Sequence, residues 1–450
     1  MTVSKSANNV RRLDFAVNVT EPRFGARGNG TDNDAPAIQL AIDYVAARSP
    51  GGGYIDIPYG RYKLNTALDL TYKNGVVLRG QGAWVSPNVD YRDEGVTNLL
   101  ANTGNVAVDM TGSPGCGLED LQIRGLTTYS NPSKVGILCA RTAAFPTCQF
   151  IHLDRVKVYL QSTPAATIRG TVGLYNVGAE HFTSDQFHSY TDMPALFCTT
   201  DILGLNSPFR GALLATTMSF VNMRMPVFIS LGGGWACFET SNALQIDLYN
   251  PYFSTVQAAP EGAISIGGGS TAYDINIHNA EIEGLNYIGT LNTNVSGLNF
   301  DGSIGDFGAM APEALFQWAA NALTVAKSNI RARQWSGAKQ VLFANNATEI
   351  ITDSIINLSS TAGITGPAIK NSILLADDAA SATISPAAGS SYILMGPNGP
   401  VVKGLFEVQG DGTQMLKFAA DATDPTGGGG AAAGRIPINI GGVTKYLPYY

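Results

Sequence analysis

The chain has 450 residues, too many for one small module, and its 28 basic and 35 acidic side chains give a net charge of −7. That balance leaves no basic footprint for nucleic acid. Charged residues make up only 14% and glycine fills 51 positions, against usual shares of ~25% and ~7%, so many short strands and turns are expected rather than a helical enzyme.

The first fifteen residues, MTVSKSANNVRRLDF, carry no apolar h-region, so no secretory signal is expected and export would need another route, such as lysis. Arg11 and Arg12, like Arg331 and Arg333 later, read as solvated surface. The first element is a helix. Asp34 is the N-cap candidate, Pro36 sits in the first turn where its missing N–H costs nothing, and Ile38, Ala41, Ile42 and Val45 form one apolar stripe. Pro50 and Gly51–Gly53 (PGGG) end it.

The period then changes to two. Strands are expected at 54–57, 61–64, 68–70 and 76–80, and further alternating runs at 118–123, 153–158, 244–248, 275–282, 298–304 and 350–356. No apolar stretch approaches the ~18 residues of a membrane helix, so no membrane insertion is expected. Apolar runs recur every ~20–35 residues, each too short to bury its own face, which is the signature of stacked coils. The fold expected is an all-β parallel β-helix, a solenoid capped by the N-terminal helix. A three-domain β-sandwich is the competing arrangement. Residues 377–391 read as an Ala/Ser linker, 392–418 as more strands, 421–434 as a low-complexity loop, and 435–450 as a hairpin turning at Gly441-Gly442.

Five cysteines without CxxC spacing (Cys116, Cys139, Cys148, Cys198, Cys237) read as buried free thiols. The four histidines form no metal-spaced pair. No metal and no cofactor are expected. Neither a GxSxG elbow nor a P-loop occurs.

Three segments resemble a known family. FGARGNGTDND (24–34) with AIQLAI (37–42), GGYIDIPYGRY (52–62) and VLRGQG (77–82) resemble the opening of pectate-lyase-like right-handed β-helix proteins. The terminal hairpin resembles the C-terminal ends of phage tail fibre and tailspike proteins. The resemblance implies a homotrimer in a virion tail, made in the host cytoplasm and acting at the host cell surface. It implies residues 1–23 as an attachment segment for a tail or baseplate protein, 24–375 as the right-handed β-helix receptor-binding and depolymerase domain, and 376–450 as a small C-terminal β domain for trimerisation. The partner implied is host surface polysaccharide, lipopolysaccharide or capsule. The Asp–calcium and Arg-base cluster of pectate lyases finds no place in this sequence.

Glycan hydrolysis needs an acid and a second carboxylate ~5–9.5 Å apart. Glu281 and Glu283 are two residues apart in a strand, which puts them on one outward face at ~6.5 Å. Aligning the runs on Leu244, Ile275 and Leu298 puts Asp247, His278 and Asp301 in one column, so Asp247 and Asp301 join the catalytic candidates. Gln245, Tyr249, Tyr252 and His278 are the candidate sugar-binding residues. Glu180, Asp185, His188 and Asp192 form a second cluster. Residues 84–94, with Trp84, Asp90, Tyr91, Asp93 and Glu94, read as a glycan-contacting insertion or a packing segment. The activity expected is a glycan depolymerase, a hydrolase ahead of a lyase. The alternatives are a non-catalytic receptor-binding or structural tail protein on the same fold, and a bacterial glycan lyase.

Overall fold

The computed structural model describes residues 15–83, 96–161 and 170–198, most strands and turns from there to 403, and the strands at 434–440 and 443–449. Arg11, Arg12, the segment 84–94 and the loop 421–433 lie outside the described residues.

Strands pair in parallel with the strand one coil away, and this register defines the architecture. One inward column runs Val17, Ile55, Leu78, Leu118, Leu153, Ser184, Met223, Leu248, Ile277, Phe300, Ile330, Ile356 and Leu374. Every member is buried, each aliphatic one contributing about 1.5–3 kcal/mol. A β-sandwich has antiparallel neighbours, so the fold is a right-handed parallel β-helix, consistent with the handedness of parallel crossovers.

Two sheets build the coil wall, one of 24 strands and one of 12. The larger sheet bends into two faces. At the bend Asp120, Arg155, Gln186, Met225, Asn250 and Asn279 each adopt positive φ near 50°. Asn279 Nδ2 donates to Asn250 Oδ1 at 2.9 Å across two coils there. The core between the sheets is aromatic in its middle, with Phe197 over Phe238 at 5.3 Å and Phe228 near Phe253 at 5.5 Å. A second apolar cluster, including Leu138, Tyr175 and Leu196, lies on the opposite side of the 12-stranded sheet. All five cysteines are free and buried.

Helix α1, Ala35–Arg48, closes the N-terminal end, with Ile38, Ala41, Ile42 and Val45 buried. It also satisfies an open strand edge: Gln39 Nε2 donates to Asp69 O at 3.0 Å and Asp69 N donates to Gln39 Oε1 at 2.8 Å. Asp34 sits at the N-cap position, but its side chain makes no cap bond. The carboxylate instead accepts the backbone N–H of Arg27 and of Gly28, at 2.7 and 3.2 Å. The glycine-rich loop outcompetes the helix for this acceptor.

Residues 377–391 are not a plain linker: the strand Thr383–Pro386 continues the 12-stranded sheet, pairing with Gly363–Gly366. The larger sheet likewise runs on through Tyr392–Gly396. Residues 1–406 form one compact unit and 407–450 another. In the second, Gly434–Ile440 and Val443–Tyr449 pair antiparallel with Ile440 opposite Val443, the hairpin expected from sequence.

Candidate functional site

Outward positions of the first face form a polar ladder that leads into a groove. Asp154, Asp185, Arg224, Tyr249 and His278 occupy successive rungs, ~4.8 Å apart. The groove, about 610 Å³ in volume, is lined by Asp185, Asn222, Arg224, Met225, Tyr249 and Asn250. Tyr249 stacks on His278 with ring centroids 4.7 Å apart and planes 12° from parallel. Beside this ladder runs an amide one: Asn276 Nδ2 donates to Asp247 Oδ1 at 2.7 Å, and Asn299 Nδ2 to Asn276 Oδ1 at 2.6 Å. Gln245 reaches Asp247 Oδ2 at 3.5 Å.

The other corner of this face carries a second aromatic stack. Phe150, His181 and Phe220 lie 4.8 and 4.7 Å apart in sequence order, with both phenylalanines exposed.

Across the Asn250/Asn279 corner, on the second face, lie Tyr252, Glu281 and Glu283. Glu281 and Glu283 flank buried Ile282, so they share the outward side as expected. Tyr252 pairs with Glu281 and Ser254 with Glu283. The Tyr252 hydroxyl donates to Glu283 Oε2 at 2.6 Å, and burial with this bond pushes the phenol up to about 12. The carboxylates stand about two strand rises apart, ~6.5 Å.

Of the expected column of Asp247, His278 and Asp301, the Asp247 part does not form, while Asp301 falls opposite the His278–Asn279 bulge, as aligning Ile275 with Leu298 requires. Asp247 pairs with Asn276, and His278 with Tyr249. Leu244, the residue used to align the runs, is exposed, whereas Ile246 is the buried partner of Ile275. The true register is offset by two, which keeps the face but exchanges the neighbours. Asp301 pairs onward with Arg331 on the next coil. The cluster of Glu180, Asp185, His188 and Asp192 is dispersed. Glu180 binds Arg141 at 2.7 Å and Gln149 at 2.9 Å, and Asp192 accepts from Thr171 N at 2.8 Å. These two are structural ties. Asp185 lines the groove and His188 belongs to the second face.

Sequence reasoning missed Asn222, Arg224, Met225 and Asn250 of the groove. Alignment on the buried column of Val221, Ile246 and Ile275 finds them. Among the described residues no group of three or more His, Cys, Asp or Glu side chains is placed to hold a metal. No helix among them is long and apolar enough to cross a membrane.

No family model matches the chain. A mannuronan C5-epimerase of Azotobacter vinelandii, AlgE3, is 39% identical over 84 residues, 17% of this chain and 4% of that protein. Alginate lyase 7 of the same organism is 34% identical over 110 residues, 23% of this chain and 12% of its own. The chain therefore spans a small fraction of these relatives. Among solved structures, the A. vinelandii AlgE4 A-module is 17% identical with a TM-score of 0.46, over 86% of this chain and 92% of that one. The tailspike protein gp49 of Acinetobacter baumannii bacteriophage Fri1, a capsular polysaccharide depolymerase, is 10% identical with a TM-score of 0.41, over 84% and 63%.

Proposed function

We propose that this chain is a tailspike-type protein that binds a bacterial surface polysaccharide and cleaves it by hydrolysis. The observation that carries this reading is the continuity of the groove with the carboxylate pair. Tyr249 and Tyr252, and His278 and Glu281, stand three residues apart on single coils, on the two sides of one corner. A glycan seated on the Tyr249/His278 platform, with hydroxyls on Asp185, Asn222, Arg224 and Asn250, reaches Glu281 and Glu283 by crossing that corner.

In this reading Glu281 gives its proton to the glycosidic oxygen as the bond to the anomeric carbon breaks. Glu283, oriented by Tyr252, takes a proton from the water that attacks that carbon, or attacks it first itself. Asp247 and Gln245 hold the amide ladder beside the platform, and Asp301 stands one coil on, opposite His278 and Asn279. The working protein is a homotrimer in the virion tail, joined by its C-terminal β segment and attached to the tail or baseplate by its N-terminal segment. The fold supports this by offering a rigid outer wall of evenly spaced side chains. The likeness to polysaccharide-acting proteins, epimerase, lyase and depolymerase, supports the substrate class.

The test is incubation of the purified protein with surface polysaccharides from candidate hosts. Chain length is followed by size exclusion and new double bonds by ultraviolet absorbance. Shortening without absorbance gain, lost in Glu281→Gln and Glu283→Gln, is the expected result. Shortening with absorbance gain is elimination and overturns the hydrolase. Binding without shortening leaves a non-catalytic receptor-binding spike.

A further inference from the structure

A second cavity, about 240 Å³ in volume, stands on the second face toward its N-terminal end. Lys63 and Leu100 are rung neighbours that face outward beneath it. Leu100 points away from the core, between buried Leu99 and Ala101, yet is only 3% exposed. One wall is the turn that carries Thr128, Tyr129 and Ser130, and Gly30 lies in the other. The turn is tied down from below. Asn131 N donates to Asn102 Oδ1 at 2.7 Å, and Asn102 Nδ2 donates to Ser130 Oγ at 3.3 Å and to Asn65 Oδ1 at 3.1 Å. Gly104 N donates to Asn131 O at 2.8 Å. At Gly30, whose φ is +78°, an added Cβ would lie 3.2 Å from that of Arg61, so the opposite wall is closely packed too.

A cavity with both walls fixed in advance lowers the ordering cost of binding. Its volume is below the ~300–1,000 Å³ of sites for drug-sized ligands, which suits one sugar ring and not a length of chain. The lining chemistry is amphipathic. Leu100 and the Tyr129 ring offer apolar surface, Thr128 and Ser130 offer hydroxyls that both donate and accept, and Lys63 offers donors. The half-buried Lys63 enters none of the ion pairs among the described residues, and no carboxylate lines the cavity among them. A pyranose has the matching pattern, C–H bonds on its faces and hydroxyls around its rim. We propose that this cavity is a second carbohydrate site that takes one pyranose unit, its C–H face on Leu100 and Tyr129 and its hydroxyls on Lys63, Thr128 and Ser130. The choice of ligand rests on the glycan-binding reading above. Leu100 and Glu283 share one outward column through Arg124, Tyr159, Tyr190, Ile229 and Ser254, a span of about 29 Å at the ~4.8 Å rung spacing. A glycan lying along that column is held by one unit at the cavity and cut at the carboxylate pair.

The experiment is a lysine footprint of the unmodified full chain. The rate at which an N-hydroxysuccinimide ester acetylates Lys63 is measured by peptide mass spectrometry, against the exposed Lys327 as internal reference. It is repeated with the methyl glycosides of glucose, galactose, mannose and N-acetylglucosamine at up to about 50 mM, well above the ~1 mM dissociation constant that corresponds to about −4 kcal/mol. We expect at least one glycoside to slow Lys63 about fivefold or more relative to Lys327. Thr128→Trp, a substitution at an exposed position that fills the cavity, should abolish the sugar's effect. Unchanged Lys63 rates with all four glycosides overturn the proposal, even where a glycoside binds elsewhere on the chain. Sugar protection that persists in Thr128→Trp overturns it as well. The primary measurement uses the unmodified protein, so a misfolded variant does not disable the test. Protection of Lys63 without shortening of any polysaccharide refutes the hydrolase but leaves this site standing. Shortening of a polysaccharide with Lys63 unprotected by every glycoside refutes this site but leaves the hydrolase standing.

Discussion

The Tyr252 hydroxyl and Glu283 Oε2 are joined by a 2.6 Å hydrogen bond across adjacent coils. With the phenol pushed up to about 12, the donor keeps its proton throughout the neutral range. Tyr252→Phe removes the donor but keeps the ring. We expect polysaccharide shortening to slow about tenfold while the melting temperature changes little. Glu283→Gln is expected to slow it at least a hundredfold, the range of an acid–base group. Initial rates of new reducing ends decide it. An undiminished Tyr252→Phe rate removes the positioning role.

The Tyr249/His278 stack is expected to act in binding and not in chemistry. An aromatic contact contributes about 0.5–1.5 kcal/mol beyond burial, so Tyr249→Ala should raise KM by roughly two- to tenfold with kcat held. Arg224→Ala should do the same through lost hydrogen bonds to sugar hydroxyls. A fall in kcat at constant KM would place the chemistry in the groove instead of across the corner.

The fold was legible because its signals are local and repeated. The capped helix, the glycine turns and the two-residue alternation each point to short strands around a stacked core. The register was less legible. Leu244 and Ile246 are both aliphatic and two apart, so periodicity alone cannot choose between them. Only pairing with Ile275 does. An offset of two preserves which side chains face outward, so Glu281, Glu283 and Tyr252 share an outward face as expected while Asp247 takes other neighbours.

Gly52 is a position where the sequence motif has a steric reason. Its φ is +89°, and a Cβ there would lie 2.0 Å from the carbonyl oxygen of Gly75. Backbone cannot yield as a side chain can, so Gly52→Ala should disrupt the first coils under helix α1 and lower the melting temperature markedly. Gly51→Ala, where a Cβ meets nothing within 4 Å, is the control and should leave it nearly unchanged. Equal melting of the two variants would refute the argument.

The hairpin of Gly434–Ile440 and Val443–Tyr449 is a two-stranded sheet among the described residues, and a two-stranded hairpin is marginal in water by itself. In the trimer proposed above, partner chains would support it. Deletion of residues 435–450 is expected to give monomer or aggregate. Light scattering that still reports a trimer would assign the assembly to another part of the chain.

His188 and Lys157 give pH signatures of the same sign in two separate windows. Burial and then Lys157 bring His188 down to about 4 from 6.5. Between those values the unfolded chain binds the extra proton, so stability falls as pH drops from about 6.5 to 4. Lys157 is brought down to about 8 from 10.5. Between those values the unfolded chain again holds more protons, so stability rises as pH climbs from about 8 to 10.5. The described groups facing the pair are Gln122, Arg124, Tyr159, Tyr190 and Val227, none of them acidic. Melting curves of the parent, His188→Gln and Lys157→Met from pH 4.5 to 10 should show the acid slope reduced in the first variant and the alkaline slope in the second. A parent curve whose slopes survive both substitutions would mean that neither side chain is desolvated as described.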